Sequence, residues 1–426
     1  MNAGDSLPER GNVNVALLAH AEALLAELMR FERAADETVS AYFRRHRALG
    51  PRERGFVAEI AYTVLRRLRS LEAAAGSAAP RALTIAALLR VHGLSARALH
   101  DRLPEADRAV MARVRAAAED VPAAVEADLP DWLWERFARA HGEMEAMRIA
   151  RALLNPAPLD LRVNLARVAR EAALAQVAAR GFTATPTPYS PAGIRIQGRP
   201  PVNRDPLFAA GLLEVQDEGS QLLAYLLAPR RGEMVADFCA GAGGKTLALA
   251  MLMRGTGRLY AMDTSPKRLA ALAPRAARAG VSNIHRVVLS GENDARVKRL
   301  AGKLDRVLVD APCSGFGTLR RNPDLKWRYG PERVAALARL QSRILAAASR
   351  LVKAGGRLVY ATCSLLAEEN DEVAERFAAE HPEFAPLDCG ELLAAQRIPL
   401  ESPKQLRLWP HLQGTDGFFA VAFERR

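Results

Sequence analysis

With 426 residues, 50% of them hydrophobic and 25% charged, the chain is too long for one ordinary core and too apolar for intrinsic disorder, so about two or three globular domains are expected. Its four cysteines (Cys239, Cys313, Cys363 and Cys389) exclude a disulfide-built scaffold, and no CxxC pair or Cys/His cluster has zinc spacing, so no metal site is expected. A formal net charge of +12 and an isoelectric point near 10.0 favour a polyanionic partner such as nucleic acid; the alternative is an arginine-biased composition without such a partner.

Met1-Asn2-Ala3-Gly4-Asp5 lacks a basic or apolar leader pattern, and no apolar run approaches the ~18 residues that would span a bilayer. A cytoplasmic, reduced protein with no membrane partner is expected. Apolar Leu17, Ala21, Leu24, Leu25 and Leu28 share one helical face and predict a helix over 14–30. Further helices are predicted over 36–47, over 51–69 with Pro51 in the first turn, over 83–99 and over 105–118. Another begins near Leu129, with Asp131 as its N-cap. There is no strand signal before Asn155, so residues 1–145 read as an all-helical domain. It carries three basic clusters: Arg44-Arg45-His46-Arg47, Arg52 with Arg54, and Arg66-Arg67 with Arg69. Such clusters suit phosphates, although each alone also suits a solvated helix face paired with Glu53 and Glu59.

The texture changes at Asn155-Pro156-Ala157-Pro158. A strand over 159–164, a helix over 168–180, an extended piece from Gly181 to Ala184 and a strand over 194–196 describe a small α/β module across 146–228. Its proline-rich stretch 185–191 is predicted to be loop, and a helix over 219–227 closes it. Across 229–426, strands (234–238, 258–263, 284–289, 306–310, 357–363, 417–423) alternate with helices (246–253, 267–279, 331–352, 368–381). That alternation predicts a doubly wound α/β domain with a parallel sheet.

The first strand of that domain runs into Cys239-Ala240-Gly241-Ala242-Gly243-Gly244-Lys245, a glycine loop that opens a helix and offers backbone donors to a ligand. A nucleoside-triphosphate loop would need glycine at 239, where Cys239 stands. A dinucleotide loop would need glycine at 246, where Thr246 stands. A third ligand, S-adenosylmethionine, needs a glycine loop and an acid at the end of the next strand for its ribose hydroxyls. Asp263 supplies that acid, which would equally serve NAD. An ordinary glycine-rich turn is the remaining alternative.

Buried free cysteines are usually inert, and Cys239 and Cys389 are read that way. Cys313, in Asp310-Ala311-Pro312-Cys313-Ser314-Gly315, and Cys363, in Thr362-Cys363-Ser364, differ because each follows a buried strand run in a polar, turn-forming context. In a parallel sheet both strand ends open on the ligand-binding edge. A thiolate can add to carbon 6 of a pyrimidine, making carbon 5 enamine-like and able to accept a methyl group from a sulfonium. The constellation is therefore a nucleophilic cysteine, a carboxylate and a methyl donor on one edge.

Those two cysteine motifs, with Arg320-Arg321-Asn322-Pro323-Asp324-Leu325-Lys326-Trp327 and Glu368-Glu369-Asn370, resemble the RNA cytosine-5 methyltransferases (RsmB/NOP/NSUN), and their order and spacing resemble the RsmB branch over nearly the whole chain. The resemblance implies a Rossmann-like methyltransferase domain after a linker module and a helical domain like the antitermination factor NusB. It implies that Cys363 is the nucleophile and that Cys313 assists product release. It places S-adenosylmethionine on the Cys239–Lys245 loop and Asp263, with Asp310 between cofactor and base and Lys326 near the site. The family's loop commonly reads Cys-Ala-Ala-Pro-Gly-Gly-Lys; here the proline is missing, which loosens the loop but keeps its last two glycines and lysine. The family's third cofactor contact falls within Ser290-Gly291-Glu292-Asn293-Asp294, and Asp294 is favoured for its Asp-Ala-Arg context. The implied substrate is a cytosine of small-subunit ribosomal RNA, with Arg320 and Arg321 expected at backbone phosphates and the protein expected to act as a monomer. Competing classes are a non-catalytic RNA-binding assembly factor, which would have no reason to keep both cysteines and the loop, and a dehydrogenase, which lacks an accompanying His/Tyr/Lys set.

Overall fold

A computed structural model describes residues 15–100, 103–118, 120–198, 200–402 and 404–426. The leader reading at residues 1–5 and the expected helix start at Asn14 lie outside them. Two compact units divide the chain: one reaches to Pro156 and takes in Thr318–Pro331, and the other comprises Ala157–Gly317 and Glu332–Arg426.

The first unit is helical. Val15–Leu28, Ala35–Arg45, Pro51–Arg66, Leu68–Ala75, Pro80–Arg90, Glu105–Ala116, Asp131–His141 and Glu143–Leu153 are its helices of eight residues or more among the described residues. Leu18, Leu24, Leu25, Ile60, Val64, Leu83 and Leu88 are buried in its core. Three expectations are corrected here. The helix predicted over 51–69 breaks at Arg67, which leaves helical geometry before the chain restarts at Leu68. The helix predicted over 83–99 ends at Arg90, and Gly93 at φ +65° turns the chain away. Asp131 is not a cap: Pro130 occupies that position, and the Asp131 carboxylate instead pairs with Arg69 at 2.6 Å.

Segment Thr318–Pro331 belongs to this unit although the chain on either side of it belongs to the other. Trp327 packs against the helical core and donates its indole N–H to the Leu65 carbonyl at 2.7 Å. Lys326 Nζ donates to the Arg66 carbonyl at 2.8 Å, and Asp324 accepts the Ala35 N–H at 3.2 Å. Arg320 is only 8% exposed and donates to the Pro156 carbonyl, while its own carbonyl accepts Arg66. The expectation that Arg320 meets phosphates is therefore corrected: burial takes its guanidinium away from solvent. The basic clusters divide similarly. Arg66 and Arg69 serve the fold, Arg45 pairs with Glu27, and Arg44, Arg47 and Arg52 are exposed. Glu53 does not pair with them; it accepts the Gly50 N–H and caps its own helix.

The second unit contains two sheets. The smaller is antiparallel, with β1 (Leu159–Val163), β2 (Ala184–Pro186), β3 (Gly193–Ile196) and β4 (Leu213–Val215) in the order β2-β3-β1-β4. The stretch predicted to be loop thus contributes β2. Pro186 is tolerated because β2 is an edge strand. β4, three residues long, gives no periodic signal of its own.

The larger sheet holds β5 (Met234–Asp237), β6 (Arg258–Asp263), β7 (Ile284–Val288), β8 (Leu304–Asp310), β9 (Val352–Thr362), β10 (Phe384–Leu387), β11 (Leu406–Leu408) and β12 (Phe418–Arg425). Its order is β10-β12-β9-β8-β5-β6-β7, with β11 beside β12. β5 to β9 are parallel, but β12 runs antiparallel to β9, β10 and β11, so the sheet is mixed and not wholly parallel. The helix predicted over 331–352 stops at Ser349, because Val352 already pairs with Leu304 in β9. The strand order reverses at β5, whose neighbours are β6 and β8, so a crevice opens beyond the carboxyl ends of these strands. No helix among the described residues is long and apolar enough to cross a membrane.

Candidate active site and cofactor loop

The crevice is floored by the loop after β5. The Ala240 N–H donates to Met262 of β6 at 2.9 Å, and the Gly241 N–H donates to the Asp263 carboxylate at 2.8 Å. The second Asp263 oxygen accepts the Ser265 N–H at 2.7 Å, which fixes the carboxylate at the end of β6. Gly243 sits at φ +89°, and a Cβ there would come within 2.2 Å of Leu272 Cδ1, so only glycine fits. Over Gly241 an added Cβ would meet nothing within 4 Å; this face of the loop is open. The helix Gly244–Leu252 follows directly.

Three carboxylates and one ammonium converge on the loop. Lys245 Nζ bonds Asp310, at the end of β8, at 2.7 Å and lies 5.5 Å from the Phe418 ring centroid. Burial pulls the lysine pKa down, but Asp310 outweighs it and the net shift is upward, so the ammonium persists. Asp237 is 1% exposed; one oxygen accepts the Thr246 hydroxyl at 2.7 Å, and the other is buried without a partner. Burial pushes this carboxyl up to about 7, against the Thr246 bond and with further help from Asp310. Cys239, half-buried in the same loop, has its thiol held protonated by burial and then by these acids.

The two cysteines meet over the ends of neighbouring strands. Cys363 follows β9 immediately, Cys313 lies three residues past β8, and their sulfurs are 3.4 Å apart. The Cys313 thiol is held well above the usual range by its hydrogen bond to Cys363, by burial, and by Glu369 and Asp310. Cys313 thus holds its proton more tightly than an ordinary thiol does.

Glu369 holds both cysteine loops, and only the resemblance pointed to it in the sequence. It is fully buried: one oxygen accepts the Ser314 N–H at 2.8 Å and Gln341 Nε2 at 3.0 Å, and the other accepts the Ser314 and Ser364 hydroxyls, both at 2.5 Å. Those serines are the residues after Cys313 and Cys363. Asn370 accepts the Thr362 hydroxyl and donates to the Ser364 carbonyl, closing the turn from the other side. Gln341 had no sequence signal marking it for this task, and Asn370, like Glu369, was marked only by the resemblance.

The remaining candidate, Asp294, is drawn into its own loop. It caps the helix Ala295–Arg299, accepts from the Ser290 N–H and hydroxyl, and pairs with the Arg296 guanidinium at 2.7 Å. These donors, Arg296 first, hold its carboxyl far below the usual range. Cys239, Ala240, Gly241, Ala242, Gly243, Gly244, Lys245, Asp263, Asp310, Cys313 and Cys363 gather on one sheet edge. Asp294 stands on the same edge, after β7, and both its oxygens accept hydrogen bonds, as both oxygens of Asp263 do. Among the described residues no cluster of His, Cys, Asp or Glu is arranged to hold a metal.

Residues 224–424 match the family described as 16S rRNA methyltransferase RsmB/F, and residues 129–203 match the ferredoxin-like domain of RsmF/B-like methyltransferases. The probable ribosomal RNA small subunit methyltransferase B of Bacillus subtilis is 36% identical over 304 residues, which span 71% of this chain and 68% of that relative. The chain belongs to the RsmB/F methyltransferase family. The crystal structure of PH0851 superposes with a TM-score of 0.76 at 25% identity, covering 98% of this chain and 99% of that one. A methyltransferase homolog protein from Pyrococcus horikoshii has a TM-score of 0.62 at 28% identity, over 71% of this chain and 98% of its own.

Proposed function

We propose that this RsmB/F-family chain methylates carbon 5 of a cytosine in small-subunit ribosomal RNA through a covalent bond between Cys363 and carbon 6. The observation that carries this reading is the pair of sulfurs 3.4 Å apart, flanked by Asp310 and facing the loop that begins at Cys239. Two free thiols at that distance, one held protonated, serve no structural purpose that a pair of small apolar residues would not serve better.

S-adenosylmethionine fits the charges around the loop. It is a cation at sulfur with an amino group and a carboxylate at one end. Asp263 and Asp310 present carboxylates to it, Lys245 presents an ammonium, and Asp237 adds a carboxyl raised to about 7 that a cation would draw into its ionised form. The unpartnered Asp237 oxygen and the open space over Gly241 leave polar capacity and room beside the loop. On this reading Asp263 takes the ribose hydroxyls and the Cys239–Lys245 backbone takes the methionine end. The cofactor supplies an electrophilic methyl group.

The chain's own residues do the rest. Cys363, as thiolate, forms a bond from sulfur to carbon 6, and the ring takes up a proton at N3 from solvent. Carbon 5 becomes enamine-like and gains its methyl group. Cys313 binds protons more tightly than an ordinary thiol, so once its own proton has passed to solvent it is a strong base for the carbon-5 proton. As that proton moves to Cys313, the double bond reforms, the carbon–sulfur bond breaks, Cys363 returns as thiolate, and N3 gives its proton back to solvent. The cytosine must leave its stack to reach the sulfur. A NusB-like helical unit with exposed Arg44, Arg47 and Arg52 meeting RNA, action as a monomer and a cytoplasmic setting belong to the same proposal.

Bisulfite sequencing of ribosomal RNA from cells lacking the gene tests it. Loss of one 5-methylcytosine, restored by the wild-type chain and not by Cys363→Ala, is the expected result. An unchanged methylation pattern would leave the assembly-factor reading.

A further inference from the structure

The loop Cys239–Lys245 has no proline to stiffen it, yet two of its carbonyls are held from outside. Arg162, on β1 of the small sheet, donates through Nη1 to the Gly244 carbonyl at 2.9 Å and to the Gln216 side-chain oxygen. Arg275, on the helix Pro266–Ala279, donates to the Ala242 carbonyl at 2.5 Å. Both arginines are fixed by β4 and the residue after it. Glu214 pairs with Arg275 at 3.2 Å and with Arg278 at 2.7 Å, and Gln216 is anchored by its bond to Ser220 at 3.1 Å. β1 and β4 are paired with Arg162 opposite Glu214, so the register of the small sheet sets both contacts at once.

We infer that Arg162 and Arg275 are positioning residues for S-adenosylmethionine binding, and that the small α/β module is the rigid backing of the cofactor loop. This rests on the cofactor reading proposed above. Gly241, Gly243 and Gly244 leave the loop many backbone conformations, and a ligand that must select one of them binds more weakly. A guanidinium bonded to a backbone carbonyl is a charge-assisted contact, stronger than a neutral one, and it fixes where the neighbouring N–H groups point. Two such contacts two residues apart, at 242 and 244, bracket Gly243, the position whose left-handed φ only glycine takes. Arg162 is buried, and burial brings it down to about 10, against Glu214, so it keeps its charge at neutral pH. Neither side chain reaches the open face over Gly241; both act through the loop.

Cofactor titration by calorimetry on the full-length protein tests this, followed by steady-state methylation with cofactor and RNA varied separately. Arg162→Ala and Arg275→Ala should each weaken S-adenosylmethionine binding about tenfold, as expected for loss of one charge-assisted hydrogen bond. The cofactor KM should rise in parallel while the RNA KM holds. Arg275→Lys keeps a donor for Ala242 and should recover most of the affinity. Thermal midpoints are measured beside each titration, and Arg162→Met and Arg275→Met, which keep bulk and remove the donor, serve as folded variants if either alanine variant unfolds. Wild-type affinity in both folded single variants, whether Ala or Met at each position, would overturn the inference. So would equal rises in both KM values. If the wild-type chain itself bound no S-adenosylmethionine, the cofactor reading would fall and this inference with it.

Discussion

Cys313 and Cys363 leave neighbouring parallel strands in register, and their sulfurs stop 3.4 Å apart. Asp310 faces Ala361 across the β8–β9 ladder, so only two residues on one strand and one on the other intervene before the cysteine. Glu369 then closes the gap by gripping the serine that follows each one. The short distance is therefore a property of the sheet and a single carboxylate, not of either cysteine loop alone.

The separate roles proposed for the two thiols give different outcomes for two similar substitutions. Cys363→Ala should abolish methyl transfer while leaving S-adenosylmethionine affinity unchanged. Cys313→Ala should still form the bond to carbon 6 but lose release, giving a protein–RNA adduct that survives denaturing electrophoresis. Normal turnover in the Cys313 variant would remove its assigned part in elimination.

Glu369→Gln keeps the shape of the side chain but replaces a charged acceptor of four hydrogen bonds with a neutral one. Stability should fall by about 2 kcal/mol, as expected when bonds to a buried charge weaken. The rate should fall further than KM rises, because the sulfur–sulfur geometry loosens while both ligand-binding surfaces remain. Urea unfolding and steady-state kinetics on the same sample check both parts.

Cofactor affinity should depend on pH through Asp237, whose carboxyl is raised by burial to about 7. A cationic ligand favours the ionised form, so binding expels a proton at pH 6 and affinity rises towards pH 8. Lys245, Asp310, Asp263 and Cys239 are the other titratable groups acting on this site. Calorimetry at pH 6 and 8 on the wild type and on Asp237→Asn isolates the effect: the wild type should gain affinity over this interval by more than the variant does.

Lys326 gives a stability signature of the helical unit. Burial lowers its pKa from 10.5 to about 7, with Asp128 opposing and Arg66 and Arg67 assisting. Its folded-state pKa lies below the unfolded one, so between these values the unfolded chain binds more protons and stability rises with pH. Lys326→Met should flatten that rise. Urea midpoints at pH 7 and pH 9 should separate in the wild type and converge in the variant; an equal separation in both would show that other groups produce it.

Much was legible in the sequence because the relevant signals are local. The strand–loop–helix at Met234–Leu252, the acid at Asp263 and a cysteine just after each of two buried strands follow from period, punctuation and residue type within short windows. The helical character of the first ~145 residues was readable for the same reason. The break at Arg67 was not, because the helix ends there without proline or glycine.

What only the tertiary structure decided are relations between residues far apart in the chain. The antiparallel placement of β12 between β9 and β10 depends on which sheet edge was still free after β9, and β12's own apolar run cannot express that. The burial of Arg320 and Lys326 follows from their segment joining the helical unit, so residue types that suit phosphate contacts became parts of a core. Glu369 bonding Ser314, and Arg162 bonding Gly244, span 55 and 82 residues. By itself the sequence determined which chemical groups the chain owns and which turns present them. Folding alone decided which of them meet, because charge-assisted hydrogen bonds depend on angstrom distances that no local pattern encodes.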